Sequence, residues 1–501
     1  MVAAGKRAGC ALACVLALAA VGAPAASAGP LGKAAAVQSL AGGAKRVTYK
    51  IGPFDIKPGQ NPIDNSIIRQ RPQVDGYITR FKPNLTYLDG TVPPVDVIHL
   101  HHGVWVNASR ANVTGGYPAE LFFAAGEEKT TGMLPKGYGY PLKASDLLLL
   151  NHMIHNLTPV PTRLYMTYQI DFIPKGSPAA RGIRPVRSIW MDVRKGVGNG
   201  YPVFNVRKGS GRKGRFTYPD QAPNAYSGQP KRNRWVVDRP GVLVATGGHL
   251  HPGGLYTDLR LTRHGKTIRL FRSRAKYFEP AGAVSWDVAM TVSRPDWRVK
   301  VRKGDALSVH ATYDTTTASW WEAMGIMGTF MADGGPGVNP FKHRVDRPGR
   351  VTHGHLPENR NHGGRPTSLP DARKLPDGRV NPGFVDMVDF RYQLGDLSLA
   401  GPARNPPVVT AGQSLTFRDA GDDAKGISHS ITSCKAPCNR STGIAYPIAD
   451  GNVQFESGTL GSTTPATGSL SWTTPKNLSA GTYTYFCRIH PFMRGAFRVK
   501  Q

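Results

Sequence analysis

Cysteine is scarce in this sequence, and its distribution is uneven. The chain has 501 residues and five cysteines, and residues 29–433 contain none of them. Cys10 and Cys14 lie in an apolar N-terminal segment, whereas Cys434, Cys438 and Cys487 lie near the C-terminus. A small fold held together by many disulfides is therefore excluded, and most of the chain must rely on apolar packing.

Acidic residues are also few. Asp and Glu number 33 against 63 Lys and Arg, which gives a formal net charge of +30. Such a charge favours an anionic partner. The most basic stretch, residues 181–234, contains no signature of a nucleic-acid-binding module. We therefore expect either contact with an anionic cell-surface polymer or a basic surface that is merely solvated, and no specific nucleic-acid recognition.

Long apolar runs are absent after the N-terminus. Residues 8–21 are apolar but too short to span a bilayer, and they follow the basic pair Lys6 and Arg7. The small-residue motif Ala26-Ser27-Ala28 follows them. This pattern predicts a signal peptide over residues 1–28, cleaved near Ala28, and a secreted protein without a transmembrane segment.

Helical periodicity is scarce as well. Short runs with period-2 apolar alternation are separated by turns rich in the 58 glycines and 41 prolines, which predicts an all-β fold. The expected organisation is a flexible leader (29–45), a first β-sandwich (46–200), a second β-sandwich (201–335), a His/Pro/Gly-rich linker (336–401) and a C-terminal β-unit (402–501).

The C-terminal unit carries the most specific motif. Cys487, His490 and Met493 lie within seven residues, and His429 lies upstream in the segment GISHSIT. Soft sulfur ligands with two imidazoles select copper and form a type 1 (blue) site. The segment TYFCRIHPFMRG resembles the ligand loop of cupredoxins of the amicyanin and plastocyanin type. This resemblance, over about residues 405–501, implies a Greek-key β-sandwich that transfers single electrons.

Cys434 and Cys438 form a C-x3-C pair shortly after His429. Zinc binding would need two further ligands nearby. A disulfide is the favoured interpretation in an exported protein.

Histidines recur in the first two units. His101 and His102 lie in VIHLHHGVW, His155 lies in LLLLNHMIHN, and His249 and His251 flank Leu250 in ATGGHLHPGG. Alternation along a strand places both imidazoles of an H-x-H pair on one face, where they can grip a metal.

Together with Met324 in SWWEAMGIMG, these histidines resemble the copper type II, ascorbate-dependent monooxygenases, which include the peptidylglycine α-hydroxylating and dopamine β-hydroxylating enzymes. The resemblance covers about residues 46–335. It implies two antiparallel jelly-roll-type sandwiches, each holding one type 2-like copper across an open cleft. His101, His102 and His155 would form the first site. His249, His251 and Met324 would form the second, where O2 binds.

Three features depart from that family. Gly247 stands where the peptide-hydroxylating enzymes have a substrate-binding Arg, Gly328 replaces a Tyr, and the family's disulfides cannot form without cysteines. Peptide amidation is therefore not expected. Alternative ligands also stay open. His99 can pair with His101 on one face, His152 can replace His155, and the methionine can be one of two others, Met327 and Met331.

A further H-x-H-x6-H pattern, His353, His355 and His362, lies in the linker. The sequence does not decide whether it binds metal, and solvent-exposed loop histidines are the slightly preferred interpretation.

The resemblances together predict a secreted, copper-dependent, monooxygenase-like oxidoreductase with a fused electron-transfer module. Such a reaction inserts one oxygen atom of O2 into a C–H bond of a small organic substrate and reduces the other atom to water, using two electrons from an external reductant. A laccase-type oxidase is excluded because Phe486 and Arg488 flank Cys487 where laccases require histidines. The alternative is a non-catalytic exported protein that stores copper or carries electrons.

Overall fold

The computed structural model describes residues 29–194, 202–221, 234–278, 282–353, 369–397, 402–438, 448, 453–462 and 468–501. The predicted signal peptide, His355 and His362 lie outside these residues. Short 3-10 helices occur at Ala41–Gly43, Pro178–Ala180 and Asp423–Lys425, and the remaining regular structure is β-strand. The predicted all-β sandwich fold is confirmed. Within the described residues, no helix has the length and apolar character needed to cross a membrane.

The first unit consists of two antiparallel sheets packed face to face. β2, β10, β4 and β8 are the main strands of one sheet, and the other has the order β3-β9-β5-β6. Phe81, Trp105 and Tyr168 lie in the core between them. The strands are β1 (Ala36–Ser39), β2 (Lys45–Ile56), β3 (Asp64–Ile67), β4 (Gly76–Tyr87), β5 (Ile98–Asn107), β6 (Glu120–Ala125), β7 (Gly132–Met133), β8 (Tyr138–Leu142), β9 (Leu148–Asn156) and β10 (Thr162–Pro174).

The second unit is also a sandwich. Its strands are β11 (Arg184–Asp192), β12 (Phe204–Val206), β13 (Arg215–Tyr218), β14 (Arg234–Val236), β15 (Gly241–Leu250), β16 (Gly254–Arg263), β17 (Lys266–Tyr277), β18 (Val288–Val292), β19 (Val299–Val301), β20 (Ala306–Asp314), β21 (Trp320–Ala323), β22 (Gly325–Ala332) and β23 (Arg350–Val351). β22 pairs with both β11 and β15 in one sheet, and β20 pairs with β16 in the other. β11 falls in the range predicted for the first sandwich, yet it pairs along its length with β22.

The C-terminal unit begins earlier than its sequence suggests. Its strands are β24 (Phe384–Val388), β25 (Arg391–Tyr392), β26 (Val408–Thr410), β27 (Thr416–Asp419), β28 (His429–Cys434), β29 (Glu456–Leu460), β30 (Ser471–Thr473), β31 (Gly481–Phe486) and β32 (Arg494–Lys500). They form sheets of order β25-β24-β27-β30 and β26-β32-β31-β28-β29. β24 and β25 lie inside the predicted linker, but Val385, Met387 and Tyr392 are buried in this unit's core. Proline and glycine around this short apolar alternation obscure it in the sequence.

The C-terminal unit packs directly on the second unit. Cys438, Ile448, Val453 and Phe486 belong to the same apolar core as the second sandwich. Arg488 reinforces this packing, since its guanidinium donates to the Ser319 carbonyl at 2.6 Å. The chain therefore brings residues from all three units close together.

Candidate metal centres

The ends of β28 and β31 form a compact group of metal-ligating side chains. His429 begins β28, and Cys487 and His490 follow β31. Their ligand atoms all lie within 4.8 Å of one another. His490 Nδ1 lies 3.7 Å from Cys487 Sγ and 3.3 Å from His429 Nδ1. Met493 is fully buried in the same core, and its backbone N–H donates to the His490 carbonyl at 2.8 Å. The loop thus gathers the predicted ligands at one end of the sandwich.

Both imidazoles of this site contact, through Nε2, a group that is not itself a predicted metal ligand. His429 Nε2 lies 3.0 Å from a carboxylate oxygen of buried Asp422. His490 Nε2 lies 2.9 Å from the carbonyl oxygen of Gly59, in the first unit. Metal-bound histidines commonly have such a partner on the ring nitrogen that does not bind the metal. These contacts fix both rings with Nδ1 toward Cys487, so the residues fit a bound copper ion.

The sulfur of Cys487 lies in surroundings that favour the thiolate. The backbone N–H groups of Ser430 and His490 donate to it at 3.3 and 3.4 Å. Burial opposes the charged form, but hydrogen bonds and charge from His429 and His490 outweigh burial and hold the pKa of Cys487 well below its ordinary value. Burial likewise lowers the pKa of His429, yet Asp422 and Cys487 raise it to about 9. A deprotonated thiol is the form that binds metals.

Sequence reasoning missed the residues that support this site. The tight turn between β24 and β25 places Asp389 and Phe390 in left-handed conformations, with φ of 49° and 60°. Their backbone N–H groups donate to the Asp422 carboxylate. The Phe390 ring lies 4.8 Å from the His490 ring. The short apolar alternation around V-D-F-R was the available signal, but it lies in the segment interpreted as linker.

The predicted disulfide between Cys434 and Cys438 is confirmed. It follows the end of β28, so the ligand strand that begins at His429 ends in a covalently closed loop. Cys487 is the free cysteine of the described residues.

The histidines predicted to bind two coppers and the alternative ligand His99 form one central histidine cluster: His99, His101, His102, His155, His249 and His251. Ring centroids are separated by 4.8 Å between His99 and His155, 5.6 Å between His101 and His102, and 5.2 Å between His249 and His251. A register shift between Leu100 and His102 interrupts the regular alternation of β5. This irregularity is the bend that adjacent His101 and His102 require.

The two predicted ligand sets are not separated by an open cleft. The rings of His101 and His251, one from each set, lie 4.6 Å apart. Trp286 contacts both rings, at 4.7 and 5.0 Å. Within the described residues, the C-terminal group is the one set of three or more His, Cys, Asp and Glu ligand atoms that all lie within 4.8 Å of one another. The ligand atoms of the central cluster are therefore more widely spaced.

Several cluster histidines are oriented by groups that sequence reasoning did not identify. His249 Nδ1 lies 3.0 Å from the carboxylate of buried Glu128, and His251 Nδ1 lies 2.5 Å from the Glu322 carbonyl. His102 Nε2 lies 3.0 Å from the Asn151 side chain. Among the described residues, Nε2 of His249 and Nε2 of His251 have no hydrogen-bond partner.

The electrostatics of the cluster favour neutral imidazoles. Burial lowers the pKa of His102 and of His155 to about 3, and it lowers those of His99, His101 and His251 well below the ordinary value. Neutral imidazole is the form that binds a metal.

Buried charges flank the cluster. Glu127 pairs with buried Lys129 at 2.9 Å and accepts the Leu100 backbone N–H at 2.8 Å. Asp192 accepts hydrogen bonds from Tyr117 and Trp190, and burial raises its pKa to about 7. The adjacent acids Glu127 and Glu128 of the segment GEEK were the sequence signal for the first of these buried charges.

The predicted methionine ligand and its two alternatives pack among apolar side chains. Met324 packs in an apolar group with Leu121, Trp190, Val203 and Ile326. Its backbone N–H and the backbone N–H of His251 both contact the Tyr313 hydroxyl, at 3.0 and 3.2 Å. Met327 and Met331 are core residues of the second unit.

The histidines outside the central cluster have separate surroundings. His152 stacks on Phe54 at 4.6 Å, and His310 lies 3.0 Å from Asp220. Burial lowers the pKa of His353 to about 3.

A cavity at the junction of the three units lies beside the central cluster and the loop that follows Cys487. Its wall includes His101, His155 and His251, together with Trp321 and Ile489. His155 hydrogen-bonds to the backbone of Ile489, which lies between the ligands Cys487 and His490. The His155 ring lies 6.4 Å from the His490 ring.

Comparison with solved structures gives matches to amicyanin. A Cu(I) form of a methionine-to-alanine variant is 19% identical, with a TM-score of 0.16, over 26% of this chain and 92% of that chain. A reduced Cu(I) form at pH 4 of a proline-to-glycine variant is 20% identical, with a TM-score of 0.15 and the same coverage. No family model and no curated protein matches the chain. The assignment of a metal centre therefore rests on the geometry: an all-β protein with a His, Cys and His group able to hold a metal ion.

Proposed function

We propose that this chain is an exported copper-dependent, monooxygenase-like oxidoreductase. Its C-terminal site would exchange single electrons with copper held by the central histidine cluster. The contact that carries this proposal joins the two sites: His155 is hydrogen-bonded to the Ile489 backbone, and its ring lies 6.4 Å from that of His490.

The C-terminal site would hold copper through His429, Cys487, His490 and Met493. A thiolate and two imidazoles with a thioether suit a type 1 copper, which supplies one-electron transfer when bound. Asp422 and the Gly59 carbonyl keep the two rings oriented. The contact with Gly59 also turns the outer edge of His490 toward the first unit.

In the central cluster, the proposed copper ligands are His101, His102 and His155 for one ion and His249, His251 and Met324 for the other. Burial keeps the first three neutral, and Glu128 orients His249. The all-imidazole set and the set with a thioether both suit copper. O2 would react here, and an external reductant would supply the electrons.

The substrate is proposed to be a small organic molecule that enters the junction cavity. Trp286, Trp320 and Trp321 line this cavity beside His101 and His251, so it presents aromatic surface next to imidazoles. Aromatic walls with a few polar groups are typical of small-molecule sites. An anionic cell-surface polymer remains the proposed partner for the basic surface.

Oxygen consumption tests this function. The copper-loaded full-length chain is reduced anaerobically and mixed with O2 and a panel of small aromatic and aliphatic substrates. We expect O2 uptake to rise with a substrate and an oxygenated product to form in equal amount. Absence of substrate-dependent uptake with every reductant and substrate would contradict catalysis.

The second candidate is a non-catalytic exported protein that stores copper or carries electrons. The compact C-terminal group favours it, since a type 1 copper held there would transfer electrons without any contribution from the central cluster. Such a protein would show reversible one-electron reduction without substrate-dependent O2 uptake.

A further inference from the structure

A turn of the first unit, residues 57–60, faces the C-terminal site. The Gly59 carbonyl of this turn accepts a hydrogen bond from His490 Nε2 at 2.9 Å. A Cβ on Gly59 would lie 2.5 Å from the Phe390 ring, so the turn packs directly on the C-terminal unit. His490 is buried. The edge of its ring that points away from Cys487 therefore meets this turn and not solvent.

The same turn also contacts the strand that carries His155. The backbone N–H of Asn156, the next residue, donates to the Gln60 carbonyl at 3.1 Å. One peptide segment and two hydrogen bonds thus join the His490 ring to the backbone beside His155. This connection is separate from the hydrogen bond between the His155 ring and the Ile489 backbone. The first unit and the C-terminal loop are therefore joined twice at His155.

The side chain of Asn156 holds the turn in place. Asn156 is fully buried at the end of β9. Its Nδ2 donates to the carbonyls of Lys57 and Val160 at 3.0 and 2.8 Å. Its Oδ1 accepts from the N–H and the hydroxyl of Thr158 at 3.0 and 2.8 Å, and the Thr158 carbonyl accepts the Gly59 N–H at 3.2 Å. Both donors and both lone pairs of this amide are used to fix the two loops against each other.

We propose that Asn156 is a positioning residue for electron exchange between the C-terminal copper and the copper held by His155. Its amide fixes the 57–60 turn so that Gly59 receives the His490 N–H while Gln60 receives the N–H beside His155. Electron tunnelling is faster through covalent and hydrogen bonds than across an unbonded gap, so a displaced turn would slow the exchange. The inference rests on the proposed function for the presence of copper at both sites.

The second connection to His155 depends on the turn as well. His490 directly follows Ile489, whose backbone is hydrogen-bonded to the His155 ring. Loss of the Gly59 acceptor would release the His490 ring and, with it, the adjoining backbone. Displacing the turn should therefore weaken both connections and not only the one that passes through it.

Electron exchange in the copper-loaded full-length chain tests the inference without O2 or substrate. A radiolytic pulse that reduces the C-terminal copper bleaches its blue absorption, which recovers as the electron passes to the central cluster. Asn156→Ala removes the amide, and Asn107→Ala is the matched control. Asn107 is also fully buried at the end of a strand of the first unit, β5, but its Nδ2 donates to Asp146 at 2.9 Å and not to the turn.

We expect the recovery to slow at least about tenfold in Asn156→Ala and to keep its rate in Asn107→Ala, although both variants lose stability. Equal rates in Asn156→Ala and the unmodified chain would overturn the proposal. If Asn156→Ala does not fold, Thr158→Val decides the question. It removes the hydroxyl that bonds to Asn156 and should slow recovery by about twofold or more, as expected for the loss of one weak hydrogen bond. An unchanged rate in that variant would overturn the proposal.

A second measurement uses the copper-free protein. Hydrogen exchange of the Gly59 amide should accelerate in Asn156→Ala and stay unchanged in Asn107→Ala, and equal exchange in both would also overturn the role of Asn156. The proposed function fails in a different way. Absence of recovery in the unmodified chain would reject electron exchange between the two sites, and this inference with it. Recovery without substrate-dependent O2 uptake would reject the proposed catalysis and leave the role of Asn156 intact.

Discussion

The C-terminal group and the central histidine cluster both contain buried imidazoles, but different groups orient the rings in the two regions. At the C-terminal group, a carboxylate and a backbone carbonyl hold the outer nitrogens of His429 and His490, and a thiolate lies between the rings. In the central cluster, Glu128 is the carboxylate that contacts a ring, and burial keeps five imidazoles neutral.

Under the proposed function, this contrast gives the two groups different roles. A buried thiolate with a fixed pair of imidazoles suits a copper ion that transfers electrons without ligand exchange. In the central cluster, the ligand atoms do not gather within 4.8 Å, Nε2 of His249 and Nε2 of His251 have no hydrogen-bond partner among the described residues, and a cavity lies beside the rings. Those features suit the proposed reaction, in which O2 would have to enter.

The largest expected effect is the loss of copper from the C-terminal group alone. Cys487→Ser should abolish the blue absorption of a copper–thiolate bond, because serine does not replace the thiolate as a soft ligand. Copper content should fall by about one ion per chain while the central cluster keeps its copper. Optical spectra and metal analysis measure both. Replacing Cys434 and Cys438 together by serine should leave the blue absorption in place. Retained colour in Cys487→Ser would refute the assignment.

The second effect concerns the carboxylate that distinguishes the C-terminal group. Asp422→Asn removes the charge beside His429 and should weaken copper binding there about 10- to 100-fold. Asp423→Asn is the matched control, since the adjacent Asp423 bonds to Ser462 instead. Competition titration gives both affinities. Equal affinities for the two variants would show that Asp422 does not support the ligand.

The same comparison shows what sequence can and cannot predict. His429, Cys487 and His490 are predictable because their order and spacing along two strands are encoded locally. Asp422 is close in sequence to His429, but nothing in its neighbourhood says that the carboxylate turns inward. Gly59 lies in another unit and contacts His490 through its carbonyl, which every residue possesses. Sequence therefore carries the ligands better than the groups that orient them.

The central cluster shows a second limit. Strand alternation relates His249 to His251, whose rings lie 5.2 Å apart, but it does not predict the register shift in β5 or the approach of His101 to His251 across two units. The turn between β24 and β25 was not predicted from the sequence for a related reason. In this proline- and glycine-rich sequence, β24 acquires its β-structure by pairing with distant β27, and β25 pairs with β24. The pairing with β27 has no local signature.

Two glycines allow each region to be disturbed alone. A Cβ on Gly59 would lie 2.5 Å from the Phe390 ring and 2.9 Å from His490 Cδ2. A Cβ on Gly126 would lie 2.7 Å from His249 Cε1 and 2.8 Å from the Glu128 carboxylate. Gly59→Ala should therefore shift the blue absorption, and Gly126→Ala should change the paramagnetic signal of the central copper.

The control for this pair is Gly90→Ala. Gly59 has a positive φ of 61°, and Gly90 has a positive φ of 89°. A Cβ on Gly90, however, would meet nothing within 4 Å. It should therefore show backbone strain without disturbing either signal. If the blue absorption and the paramagnetic signal of Gly59→Ala both match those of the unmodified chain, the close approach of Gly59 to His490 is contradicted.

The smallest expected effect tests whether the two regions depend on a firm contact between units. Arg488 follows the ligand Cys487, pairs with Glu456 at 2.7 Å and stacks on Trp321 at 4.4 Å. Arg488→Met keeps the apolar stem but leaves Glu456 without this partner. The free energy of unfolding should fall by about 1–3 kcal/mol, because charged hydrogen bonds in a partly buried setting are lost.

Arg418→Met provides the matched case on the same unit. Arg418 is exposed and pairs with Asp386 at 2.8 Å, so its loss should cost less stability than the loss of Arg488. Denaturant unfolding followed by tryptophan fluorescence measures both variants. Because Arg488 joins the units while the ligands lie within one of them, the blue absorption of Arg488→Met should be unchanged and electron exchange with the central cluster should slow. Unchanged stability together with unchanged electron exchange would show that Arg488 does not maintain the contact between the two sites.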